Sequence, residues 1–300
     1  MKELELHDDD GRTPGEIPDS PLLLERLHRA LARWNVRRLR AEHPTRRWRD
    51  ELEEDLRMRS LEGEWIEAER AALRPWTRDV PRTHAGFVRW FEQLVDDAPG
   101  HHSTMLDELA ERATLDQARW WMRQELVAEA GLDALVALTR LRMPEHPGIA
   151  PAAPRVETRR LARLAHTLGI DCNADVVWES LAASNLAVAL AFNRRYAWQA
   201  VGALGVVALT APLRAERVSL ALRRFGLAAV EEDRSREREE TQAWIREVLA
   251  RRVEADAERA PLLAEGALLR LRAAARSARR SRNELGLSEP DLDASPPTPS

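Results

Sequence analysis

Two groups of carboxylates in this chain are spaced as helices would need them to gather a metal ion. In WWMRQELVAEAGLDALVAL, Glu125 and Glu129 stand four residues apart, beside Trp120, Trp121 and Leu126. In VEEDRSREREETQAWIREVL, Asp233, Glu237 and Glu240 fall at i, i+4 and i+7, so all three share one helix face. Inward-facing carboxylates on neighbouring helices build di-iron and di-manganese sites in helical bundles. The competing reading is a solvated face, because 32% of the chain is charged and such triplets recur on surface helices.

Other chemistries find no footing in the sequence. It contains no glycine-rich phosphate loop, no GxSxG elbow and no helix with two histidines at metal spacing. Cys172 is the sole cysteine, which rules out an intramolecular disulfide and a thiolate zinc site and fits a reducing, cytoplasmic setting. A net charge of −4 from 46 basic and 50 acidic side chains supplies no field toward nucleic acid or membrane. Arg37, Arg38, Arg40, Arg46, Arg47 and Arg49 cluster near two tryptophans, but Glu42, Asp50, Glu51, Glu53 and Glu54 neutralise them. Arg270, Arg272, Arg276, Arg279, Arg280 and Arg282 spread around the last helix and read as a solvated surface. Lys2 is the only lysine, which either favours planar guanidinium pairs or reflects GC-rich coding.

The elements that would position the carboxylates are helices, since no run alternates apolar and polar residues as a strand would. The organising stretch is Leu181 to Leu213, where charge nearly vanishes for thirty residues and two helices apolar all round are expected, broken at Asn193, Arg194 and Arg195. The second, Tyr196 to Leu209, holds Gln199 and ends before Pro212; it is too short to span a bilayer. Thr114 caps a helix over Leu115 to Glu129 that stops at Gly131. PEHPGIAPAAP, Pro144 to Pro154, places four prolines in eleven residues and breaks the chain. We expect a disordered leader over 1–20, an N-terminal helical extension lying on the outside over 21–80, a main all-α domain over 84–285, and a proline-rich disordered tail over 286–300.

The chain resembles the iron-containing redox enzyme family, itself similar to haem-oxygenase-like di-iron oxidases. The resemblance is carried by FVRWFEQL at Phe87 to Leu94, Arg119 to Pro144, NRRYAWQAVGALGVVALTAP at Asn193 to Pro212, and APLLAEGALLRLRAAAR at Ala260 to Arg276. It covers about His84 to Leu285. It implies a haem-oxygenase-like helical bundle that holds one or two ferrous irons, activates dioxygen and oxidises a small organic substrate. The family's first ligand, a Glu following Gln, falls on Gln124-Glu125. Its His-x-x-x-Asp-x-x-His helix, aligned on Trp244, falls on Asp233, Glu237 and Glu240, with both histidines replaced by carboxylates. Its Asn-x-x-Asp-Glu helix falls in the proline-rich break, and the following His near Glu157.

Imidazole suits iron, whereas an all-carboxylate set suits magnesium or manganese. Three readings stay open: a working oxygen-activating enzyme with Glu125, Asp233, Glu237 and Glu240 as metal ligands; a relative that has lost its metal and serves as a structural or regulatory partner, or in a homodimer; and a site for another divalent ion.

Overall fold

The computed structural model describes residues 20–39, 48–98, 111, 113–141, 166, 169–171, 175–224 and 235–287, with side chains outside the description at 140–141, 211–222, 224 and 235–238. The described residues form α-helices joined by short 3-10 turns and contain no strand, as the all-α reading requires. The helices are α1 (Pro21–Leu39), α2 (Trp48–Leu73), α3 (His84–Asp97), α4 (Leu115–Glu129), α5 (Leu132–Leu141), α6 (Trp178–Phe192), α7 (Ala197–Arg224), α8 (Ser235–Ala255) and α9 (Ala260–Leu285). The proline-rich break, and Glu157 just beyond it, lie outside the described residues.

The charge-poor stretch is the centre of the fold. Helix α6 buries Ala189, Leu190 and Ala191 completely, and α7 does the same with Ala200, Leu204 and Ala208. The turn between them falls where Asn193 interrupts the apolar run, and the Asn193 side chain caps it by accepting from the Arg195 amide. Helix α7 does not stop at Pro212 but runs on to Arg224. Just before the proline, Thr210 Oγ1 donates to the Val206 carbonyl at 2.8 Å, a bond that helices bearing such prolines tolerate and often bend around.

Helix α9 lies along α7 at backbone distance. A Cβ built on Gly202 would come 1.9 Å from the Leu263 carbonyl oxygen, and one on Gly266 1.9 Å from that of Gln199. Only glycine permits that approach, so these two residues set the α7–α9 crossing. Around this pair, α4, α5 and α1 pack on α6, α3 packs on α8, and α8 packs on α7.

The N-terminal helices belong to the core and are not an outlying extension. Leu31 and Trp34 of α1 and Met58, Trp65 and Ile66 of α2 share one cluster with Leu186, Leu190, Tyr196 and Leu269. The apolar residues at the start of α2 face outward instead: Trp48, Leu52 and Leu56 are more than half exposed. No helix among the described residues is long and apolar enough to cross a membrane.

Candidate functional site

Gln124 and Glu125 sit in the middle of α4, whose start is fixed by a capping box in which Thr114 and Gln117 satisfy each other's backbone amides. Gln117 also reaches the Leu285 carbonyl at the end of α9, so α4 runs antiparallel to α9. The buried face of α4 then carries Trp121, Gln124, Glu125 and Glu129 inward together. Gln124 donates to the Asp175 carbonyl at 2.8 Å and accepts from the Val177 amide at 3.0 Å, holding the loop that starts α6. Its part is thereby structural, and Glu125 is left as the acid of the pair.

Glu125 is 4% exposed and Glu129 6%, so these acids stand in the interior, as the sequence pattern allowed. Arg270, on α9, is 8% exposed. Burial pulls the Arg270 guanidinium below its ordinary range, and the Glu129 carboxylate opposes that shift. Arg270 and Arg282 are therefore buried residues of α9, which corrects their reading as a solvated face; Arg279 and Arg280 are exposed.

The buried glutamates Glu62 and Glu69 of α2 and Glu265 of α9 are paired directly with guanidinium groups. Glu265 accepts from Arg70 Nε and from Gln199 Nε2, both at 2.8 Å. Glu69 is held by Arg276 and, at 3.5 Å, by Arg272. Glu62 pairs with Arg38 at 2.7 Å; burial pushes its carboxyl up, and Arg38 works against that. Glu67, partly exposed, takes Arg70 at 2.8 Å and the Tyr196 hydroxyl at 3.0 Å. Between α2, α6 and α9, Trp65, Glu69, Glu179 and Arg276 edge a narrow cleft floored by Ala182, Leu186, Leu269 and Ala273.

Of the other proposed ligands, Glu240 alone has a described side chain. Glu240, one turn before the buried Trp244 on α8, is exposed. Glu237 lies in the first turn of α8 with its side chain outside the description, and Asp233 lies outside the described residues. Helix α4 packs on α6 and α9, whereas α8 packs on α3 and α7. Among the described residues, no three His, Cys, Asp or Glu side chains are grouped where they could hold one metal ion. Of the described ligand candidates, Glu125 is interior on α4 and Glu240 is exposed on α8.

No family model, curated protein or solved structure matches this chain.

Sequence reasoning missed the polar residues at the α1–α6 joint. His28, Asn35 and Asn185 are 1%, 4% and 2% exposed and are bonded to one another. The available signal was Asn185 itself, an amide in the midst of LAASNLAVALAF, which a helix buried on all sides would carry only with a partner.

Proposed function

We propose that this chain is a degenerate relative of the iron-containing redox enzymes, built on a haem-oxygenase-like bundle, which serves as a non-catalytic structural or regulatory partner protein. The observation that carries the reading is the buried Arg270 of α9, whose charge is favoured by the carboxylate of Glu129, one helical turn from Glu125. A fixed guanidinium there supplies the positive charge that interior carboxylates would otherwise draw from a metal ion. Arg38, Arg70, Arg272 and Arg276 do the same for Glu62, Glu265 and Glu69.

The burial of Glu125 favours a second reading, a dioxygen-dependent oxidase with Glu125, Asp233, Glu237 and Glu240 as ligands to ferrous iron. The two are separated by anaerobic reconstitution with ferrous iron, desalting and metal analysis, with a Glu125→Ala, Glu237→Ala variant as control. The non-catalytic reading expects no more iron in the parent than in the variant, and no oxygen uptake on exposure to air. Stoichiometric iron that disappears in the variant overturns it.

A further inference from the structure

Helix α1 is fastened to α6 by a row of hydrogen bonds whose direction is set from one end. Arg38 can only donate, and its Nη1 gives to Asn35 Oδ1 at 3.0 Å. The other end of that amide must then donate, and Asn35 Nδ2 gives to Asn185 Oδ1 at 3.0 Å. Asn185 Nδ2 in turn donates to the His28 carbonyl at 3.0 Å and points at His28 Nδ1 from 3.4 Å. Nδ1 therefore has to be the bare, accepting nitrogen of a neutral imidazole. The ring is gripped from both sides, edge-on to Trp65 at 4.8 Å and stacked on Trp178 at 5.5 Å.

We infer that His28 is an acid-sensitive latch, which holds α1 on α6 while neutral and releases it when Nδ1 is protonated. A proton on Nδ1 sets two donors against each other. Turning the Asn185 amide would only move the clash to Asn35, and turning Asn35 would move it to Arg38, which has no acceptor to offer. The mismatch can be relieved only by parting the helices, which also lets the charged ring reach water.

The charged groups around the joint do not stabilise an imidazolium. Arg276 of α9 repels it, and Arg272 and Arg276 already occupy Glu69 of α2. On α2, Glu62 is taken by Arg38. On α1 itself, Glu25 pairs with Arg29. Glu179 of α6 has its own carboxyl pushed up by burial, which weakens it as a counter-charge. In keeping with this, burial and then Arg276 lower the ring to about 3, from 6.5 in an exposed histidine.

Because the folded value is depressed, the latch is intact above pH 6.5 and weakens as pH falls below that value toward 3. Hydrogen–deuterium exchange of the full chain, corrected for the pH dependence of intrinsic exchange, tests this. Between pH 7.5 and 5, linkage predicts that the opening equilibrium of α1 rises about 30-fold, while α9 stays protected. His28→Asn, which keeps an uncharged acceptor facing Asn185, should lose the acid response. Unchanged α1 exchange in the parent, an equal rise in α1 and α9, or parent-like acid release in His28→Asn would each overturn the latch.

Discussion

A single methyl group added at Gly266 tests whether the α7–α9 crossing is set by backbone contact. In a helix, Gly→Ala alone is worth about 1 kcal/mol in favour of the folded state. At Gly266 that gain meets a steric wall. The new Cβ would lie 1.9 Å from the Gln199 carbonyl oxygen and 2.6 Å from its Cα, whereas ordinary contact begins at 3.4 Å. The helices must part by about 1.5 Å, which strips contacts from Leu204, Leu263 and Ala267 and stretches the 2.8 Å bond from Gln199 to Glu265. Overpacking of this kind costs about 1–3 kcal/mol or more, so we expect a net loss of about 2 kcal/mol after the propensity gain. Gly63 on α2 is the internal control, since a Cβ there meets nothing within 4 Å. Gly63→Ala should stabilise by up to about 1 kcal/mol. Urea unfolding of both variants, read at constant m-value, gives the two signs directly. A Gly266→Ala protein as stable as the parent, or more so, would refute the backbone-contact account of this crossing.

Two further perturbations probe the arginine–carboxylate interior. Arg270→Met removes a buried cation that favours the Glu129 carboxylate and should lower stability in urea unfolding, whereas the double variant Arg270→Met, Glu129→Gln should recover part of that loss; equal losses in the single and double variants would contradict the coupling. The Tyr196 hydroxyl, buried and donating to Glu67, is pushed up to about 12, so the unfolded chain ionises first and stability should fall as pH rises from 10 toward 12. Tyr196→Phe should flatten that alkaline slope in a comparison of melts at pH 9 and 11; an unchanged slope would assign it to another group.

The centre of the fold was legible because burial on all sides leaves a mark that needs no partner: residues 181–209 carry charge only at Arg194 and Arg195, and α6 and α7 are where that stretch lies. Thr114 was legible for a similar reason, since a helix cap is local; that Gln117 completes a capping box with it was not read. What could not be read were interactions between distant parts of the chain. Helix α2 looks like an exterior helix because it is dense in Glu and Arg, yet Glu69 is buried on arginines of α9 more than two hundred residues away. Arg270 and Arg282 look like their exposed neighbours Arg279 and Arg280 until α4 and α6 are laid against α9.

The candidate site divided along the same line. Spacing of i, i+4 and i+7 implies a shared face, but it does not say how deep along the helix that face is covered. On α4 the face of Glu125 and Glu129 carries Trp121 and turns in. On α8 Glu240 stands in register with the buried Trp244 and Val248, yet it is itself exposed.

The central claim, that built-in guanidinium groups have taken over the charge balance a metal would supply, is tested most directly by thermal unfolding under anaerobic conditions with and without excess ferrous iron. Ligand at about 100 times its Kd stabilises a folded protein by about 2.7 kcal/mol, a rise of several degrees for a chain of this size. The account predicts the same midpoint with and without iron. A rise of several degrees in the parent that is absent in Glu125→Ala would contradict it.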